Sequence, residues 1–320
     1  MPNRPDPLQA RGLKLSHLRL MAALLDTGQI GLAAESLGIS QPAASRLLAE
    51  VERITGQPVH QRTGRGMTLT GVGEALARRA RRVQMELQDA ARDLAEIGSG
   101  QSGHVRIGSV TGAAMDLVLP ALRTARLTLP QISAEVIVAP SDLLAQQLLS
   151  GRIDFALARR PAGPDRNLIG ETRLAAEPVA LIARRDHPLD RPGPIAATDL
   201  MAQDWVMPPR DSILTRTVLD RLARLGLPEP PQRLSTASFL LTLALIQQSN
   251  AIAPVASAVV DAFTRAADAP YVRLPVDLGI EVEPFGLLTR AGAALPPAAE
   301  RLAALILDSI ARPLVPAARL

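Results

Sequence analysis

Three features of the sequence predict an α/β protein in three parts: a small helical head ending in a β-hairpin, a long seam-bearing helix, and a larger body of alternating strands and helices. The first is charge. Between Lys14 and Arg82 stand ten basic residues against five acidic ones, a local +5, whereas the whole 320-residue chain carries +4. The second is an apolar spacing of 4, 4, 3, 4, 3, 4, 3 over Val72, Leu76, Ala80, Val83, Leu87, Ala90, Leu94 and Ile97, which alternates like the a and d positions of a coiled coil. The third is the succession of short β-prone runs and helical periods from His104 onward, which follows βαβ logic. The length agrees, being long for one domain and short for three.

Composition narrows the function classes. The chain is 47% apolar and 21% charged, as in a globular protein with a sizeable core. Only six residues are aromatic, too few for a stacking platform for single-stranded nucleic acid or for an aromatic sugar groove. The absence of cysteine removes disulfides, thiolate nucleophiles and Cys-based metal sites. The four histidines, His17, His60, His104 and His187, show no metal-ligand spacing and are expected at the surface or half-buried, with no metal or cofactor. Arginine supplies all but one of the basic residues, a bias that base composition explains, so position matters more than number. The start MPNRPDPLQARG has no apolar core of signal-peptide length, and no run of eighteen apolar residues occurs. The expectation is a cytoplasmic protein without a membrane segment, with residues 1–13 a disordered tail.

The head is expected over residues 14–73. A first helix begins near Ser16, with Leu18, Met21, Ala22 and Leu25 on one face and Gly28 closing it. A second places Ile30, Ala33, Ala34 and Leu37 at i, i+3, i+4 and i+7, and Gly38 allows a sharp turn. Ser40 can cap a third helix, in which Pro42 is harmless in the first turn. Its buried stripe is Ala44, Leu47, Leu48, Val51 and Ile54, leaving Gln41, Pro42, Ser45, Arg46, Ala49 and Arg53 outward. That outer face is small and basic. Gln41 and Arg46 have donors for base edges or phosphates, although solvated helix residues have the same character. Residues 59–70 then read as two short strands around a Thr63-Gly64-Arg65-Gly66 tip, a β wing holding Arg65 out towards a minor groove.

Taken together, Ala33-Ala34-Glu35, Leu37, Ser40-Gln41-Pro42-Ala43, Ser45-Arg46, Arg62-Thr63, Gly66, Leu69-Thr70 and Gly73 resemble the winged helix-turn-helix of LysR-type transcriptional regulators. The resemblance runs without a gap through about sixty residues. The chain departs from the family pattern at His60, where an aromatic is usual, and at Gly31 and Leu32, where a polar pair is usual. The resemblance implies that Gln41, Pro42, Ser45 and Arg46 face the major groove and Arg65 the minor groove. It implies that Ser40, Arg62 and Thr70 hold phosphates.

The seam-bearing helix is expected over 74–98 as a dimerisation linker. About 28 residues at roughly 1.5 Å each make a rod of about 42 Å, and a pair of rods suits half-sites roughly 34 Å apart. Arg78, Arg79, Arg81 and Arg82 read mainly as a solvated face. The run from Gly98 to Gly103 breaks the helix and serves as a hinge.

The body, 103–312, is expected to hold a mostly parallel sheet covered on both faces. Strands are read at 105–110, 132–138, 154–158, 179–183, 204–207, 233–235, 252–255 and 281–289. Helices are read at 113–127, 142–149, 213–225, 239–248 and 297–310. Ligands of such sheets bind beyond the carboxyl ends of strands, where Ser109 with Thr111, Ser141, Thr236 with Ser238, Arg159 with Arg160, and Arg210 stand. Helix capping explains each hydroxyl residue, and surface charge each arginine, at least as simply. The element order also resembles the effector domain of LysR-type regulators, a two-lobed α/β fold like that of type II periplasmic binding proteins. The Arg185-Asp186-His187-Pro188-Leu189 segment agrees. The runs at 40–52, 236–245 and 251–256 are most similar to the galactose-binding-protein regulator subgroup.

The resemblance implies a first lobe of about 103–178 with 280–312, a second of about 179–279, and effector contacts at Ser109, Thr111, Ser141, Arg159, Arg210, Thr236 and Pro254. It further implies a non-enzymatic regulator that binds an inverted-repeat operator in double-stranded DNA. Its effector would be a sugar or small organic acid, its assembly a homodimer and homotetramer, and RNA polymerase a further partner. The competing class is a solute-binding protein or an enzyme on the same fold. The sequence offers it no signal peptide, Ser-His-Asp order or paired carboxylates.

Overall fold

The structure is a computed structural model and describes residues 7–63, 66–99, 103–230 and 234–311. The chain forms two compact units, 1–100 and 101–320.

The first unit contains α1 (Pro7–Ala10), α2 (Leu15–Thr27), α3 (Ile30–Ser36), α4 (Gln41–Thr55), β1 (His60–Thr63), β2 (Gly66–Leu69) and α5 (Gly71–Ser99). The turn α1 falls in the segment expected to be a disordered tail. It is anchored where Arg11 Nη1 donates to the Ile54 carbonyl at 3.4 Å. Gly28 ends α2 in the left-handed region at φ 63°, its N–H returning to the Leu24 carbonyl, a geometry glycine adopts without strain. Leu20, Met21, Leu24, Ala33, Ala34, Ala44, Leu48 and Val51 form the core. The 3.6-residue period delivers the stripe expected for α4, with Leu47 half-buried, but in α2 the buried leucines are Leu20 and Leu24, while the expected Leu18 and Leu25 are half-buried.

The seam of α5 is divided. Ala77 and Ala80 are buried in the head core, and Leu76 packs against it. Val83, Leu87 and Leu94 are exposed, Leu94 at 71%. Small alanines allow α2 to approach α5 closely, so Leu76 and Ala80 of the expected seam serve the head, while Val72 before them and Val83, Leu87 and Leu94 after them stay open.

The second unit begins with β3 (His104–Ser109) and α6 (Thr111–Ala113), which continues through a π-helical stretch (Ala114–Val118) into α7 (Leu119–Thr128). Then come β4 (Ser133–Val138), α8 (Ser141–Leu149), β5 (Phe155–Ala158), a 3₁₀ turn (Pro164–Leu168) and β6 (Ile169–Arg184). They are followed by α9 (Ala197–Met201), β7 (Val206–Met207), α10 (Ile213–Arg224), β8 (Leu234–Ser235), α11 (Phe239–Gln247) and β9 (Ala253–Ala256). The last elements are α12 (Ser257–Thr264), β10 (Tyr271–Arg273), β11 (Glu281–Arg290) and α13 (Pro297–Ala311).

The expectation of a mostly parallel sheet needs correction. The strand order is β10-β6-β11-β5-β3-β4, with β9 also paired to β6. Only β3 with β4 and β3 with β5 are parallel in it, while β11 runs antiparallel to both β5 and β6. The cause is that β6 and β11 are not members of βαβ units. They are long strands that cross from one lobe to the other. The first lobe's core holds Ile107, Leu144, Leu148, Phe155, Leu157 and Leu302, and the second lobe packs two clusters, Leu181, Trp205, Val218, Leu222 and Ile252 in one and Ile182, Val206, Ile246, Val255 and Val259 in the other. Sequence reading found only 179–183 of the sixteen residues of β6, because 169–178 interleaves charges, Gly170 and Pro178 with few buried positions. It also missed α9, α12 and β10. No helix of the described residues is long and apolar enough to cross a membrane.

Candidate nucleic-acid interface and interlobe cleft

In the head the outward residues of α4 stand as its period requires. Ser40 caps the helix, its hydroxyl accepting from Ala43 N at 3.4 Å. Gln41, Pro42, Ser45, Arg46, Ala49 and Arg53 are exposed, whereas Ala44, Leu48, Val51 and Ile54 are buried. Among the described residues neither Arg46 nor Arg53 enters an ion pair. Their guanidinium groups are free to meet phosphates or base edges.

Two carboxylates on the flanks of α4 brace it. His17, only 1% exposed, accepts from Lys14 N through Nδ1 at 3.0 Å, and its Nε2 lies 3.0 Å from Glu50 Oε2. With Nδ1 an acceptor, the proton stands on Nε2 and is donated to Glu50. Glu52 Oε1 accepts from Val59 N at 2.9 Å and meets His60 Nδ1 at 2.9 Å, tying the wing base to the recognition helix. The histidines were expected at or near the surface. His17 and His187 are instead buried, because both ring nitrogens of each are bonded, His187 to the Asn250 carbonyl and Leu189 N. Glu50 and Glu52 escaped the sequence reading because their partners, His17 and His60, lie 33 and 8 residues away on other elements.

The wing pairs His60 with Leu69, Gln61 with Thr68, Arg62 with Met67 and Thr63 with Gly66. Arg65 and Gly64 at its tip lie outside the described residues, and Arg62 is placed by backbone alone. Thr70 is engaged within the fold. Its hydroxyl donates to the Pro58 carbonyl at 2.8 Å and accepts from Gly73 N at 3.1 Å. Its one proton goes to that carbonyl, and its oxygen caps the start of α5.

In the second unit the predicted effector residues separate into three groups. Ser141 and Arg159 come together: Ser141 Oγ accepts from Arg159 N at 3.1 Å. The Arg159 side chain continues to both crossing strands, Nε donating to the Glu283 carbonyl at 2.8 Å and Nη2 to Glu177 Oε2 at 2.6 Å. Thr111 is exposed one residue before Gly112, whose missing side chain leaves room for the Glu177 carboxylate and for Ala256 at the start of α12. Ser109, by contrast, is fully buried and donates its hydroxyl to the Val110 carbonyl at 3.0 Å. It therefore faces the core. Pro254 is buried in β9 opposite Leu181. Thr236 and Ser238 are occupied with the turn and cap of α11, Thr236 Oγ1 accepting from Ser238 N at 3.0 Å and Ser238 Oγ from Leu241 N at 3.3 Å. Arg210 is exposed and paired with Glu229.

Glu177 and Ser257 were missed. Ser257 opens α12, and its buried hydroxyl has no partner among the described residues, an unmet polar group that a ligand or water would satisfy. The serine ahead of the spaced apolar residues Val259, Val260 and Phe263 was the available signal. Asp116, in the π-helical stretch, has its carboxyl raised above the ordinary value of 3.8 by partial loss of water and next by the charge of Asp261 on α12.

A head with an exposed recognition-helix face and a wing, joined in sequence to a two-lobed α/β unit with two crossing strands, matches two family descriptions. Residues 15–74 match the bacterial regulatory helix-turn-helix of the lysR family, and residues 98–311 the LysR substrate binding domain. The chain belongs to the LysR family of transcriptional regulators. This LysR-type chain is 43% identical over 244 residues to the HTH-type transcriptional regulator GbpR of Rhizobium radiobacter, covering 76% of this chain and 81% of that one. It is 34% identical over 281 residues to GbpR of Azospirillum brasilense, covering 88% and 81%. The fold is like that of ArgP from Mycobacterium tuberculosis, with a TM-score of 0.63 at 19% identity over 93% of this chain and 97% of that one. The LysR-type protein is thus a DNA-binding transcriptional regulator with an effector-binding domain, as its sequence resemblance implied.

Proposed function

We propose that this regulator is a cytoplasmic, non-enzymatic homodimer, assembling further to a tetramer, that reads an inverted-repeat operator through α4 and the wing. Residues 14–73 are the reading head, 74–98 the pairing rod and 103–312 the effector domain. The observation that carries the reading is the sorting of α4: a buried face of Ala44, Leu48, Val51 and Ile54, braced by His17–Glu50 and Glu52–His60, opposite an exposed face of Gln41, Pro42, Ser45 and Arg46. A rigid helix with a narrow polar face and two unpaired arginines suits a major groove. Arg62 and Arg65 of the wing supply phosphate and minor-groove contacts. The effector is a sugar or small organic acid bound near Ser141, Arg159 and Thr111, and RNA polymerase is the downstream partner.

An operator obtained by selection from a random duplex pool tests the assignment. Arg46→Ala should weaken binding to it by about 1–3 kcal/mol if the guanidinium reads a base pair. An unchanged affinity at matched salt would remove Arg46 from the reading face.

A further inference from the structure

Arg159 stands at the end of β5, yet its side chain is spent on the two strands that cross between the lobes. Nη2 reaches Glu177 Oε2 on β6 at 2.6 Å, and Nε reaches the Glu283 carbonyl on β11 at 2.8 Å. These are not arbitrary points on the strands. The pairing of β11 with β6 is irregular between Val282 and Phe285, with Val282 opposite Glu177, so Glu283 lies in the bulge itself. One residue further along β6, at Pro178, the strand's partners begin to change from the first lobe to the second, where Val179–Ile182 pair with β9. A bulge is where a sheet bends most readily. The guanidinium therefore clasps both hinge strands where their angle is set.

The clasp is nearly closed to water. Arg159 is 8% exposed, and the Glu177 carboxylate lies over Gly112, in space that any other side chain would fill, beside Ala256 of the second lobe. A buried ion pair of this kind contributes little net stability but strongly favours one geometry, because a separated partner would be left buried and uncompensated. Such a contact suits a hinge with two angles.

We propose that Arg159 and Glu177 form a hinge bracket that sets the angle between the lobes, with Glu177 the positioning residue and Arg159 the group both strands share. Resting on the reading that the effector binds in this cleft, the bracket supplies a coupling route. A ligand oxygen, from a carboxylate or a hydroxyl, that takes a guanidinium N–H in place of Glu177 acts on the hinge directly. The ligand then binds the two lobe arrangements with unequal affinity, as coupling demands.

The test requires no effector and so stands apart from the cleft assignment. The chain has no cysteine, so Arg152→Cys in the first lobe and Asp220→Cys in the second, both exposed, take spin labels without background. In the full-length protein, diluted with unlabelled chains to suppress distances between subunits, the parent should give one interlobe distance. Glu177→Gln, which keeps shape and loses charge, should add a second, longer distance. Arg159→Lys, which keeps charge and loses the fork, should do the same. Distance distributions superimposable on the parent's in both variants would overturn the bracket, whatever the effector proves to be.

Discussion

Single residues decide how the reading head is held. Gly73 lies in the first turn of α5, and a Cβ there would fall inside the contact distance of the Val59 carbonyl carbon and oxygen. That carbonyl is already the acceptor for Thr70 N at 3.0 Å. Since the obstructing atoms are backbone, no rotamer change relieves the clash, and either α5 or the wing base must move. Gly73→Ala is expected to destabilise the head by about 1–3 kcal/mol, the usual cost of overpacking. Amide hydrogen exchange over Val59 to Thr70 should accelerate in step. Protection equal to the parent's would show that the approach is slack. The same neighbourhood marks the reach of sequence reasoning about side chains. Ser40 was legible because its cap is local and a helical period follows it. The role of Thr70 was hidden because its acceptor, Pro58, lies twelve residues back across the wing. Arg159 was legible as a strand-end arginine, but Glu177 sits in the half of β6 that reads as polar loop.

At the scale of elements, α5 shows that one apolar pattern can serve two purposes. Periodicity revealed a helix of nearly the right extent, but could not divide its seam between the head's own core and another chain. The division follows residue size: Ala77 and Ala80 vanish into the head, while Val83, Leu87 and Leu94 remain exposed at the later positions. If those positions pair two chains, a charge placed among them must be desolvated on association. Leu87→Glu combined with Leu94→Glu should therefore lower the solution mass measured by sedimentation, while the head keeps its α-helical signal. An unchanged mass would place the pairing surface elsewhere. The strands tell a related story. The short parallel strands β3, β4 and β5 were found within a residue or two because they are continuous β-prone runs. Of the two long crossing strands, β11 was found to within a residue, whereas β6 was half missed because it changes partners and exposure midway.

For the whole effector unit, the relation of the two lobes is electrostatic as well as steric. Apart from the clasp at the hinge, α12 of the second lobe packs against the first-lobe helix that runs from α6 through the π-helical stretch, with Met115 seated among Val259, Val260 and their neighbours. Asp116 borders that contact, and Asp261, itself paired with Arg273 at 2.9 Å, adds like charge from α12. Burial first and Asp261 second raise the Asp116 carboxyl above 3.8. A raised folded-state value means that the packed form holds its proton more tightly than the unfolded chain. The packed form is thus favoured most below 3.8, and that advantage is lost as pH rises through the raised value. At neutral pH the charged Asp116 opposes the contact. Asp116→Asn, equal in shape and uncharged, should then raise the thermal midpoint of the full-length protein at pH 7. The gain should shrink as pH falls towards 3.8, where the parent carboxyl becomes protonated as well. A lower midpoint for the variant at pH 7, or a difference that stays constant across the titration, would mean that Asp116 makes a favourable charged interaction in place of a repulsive one.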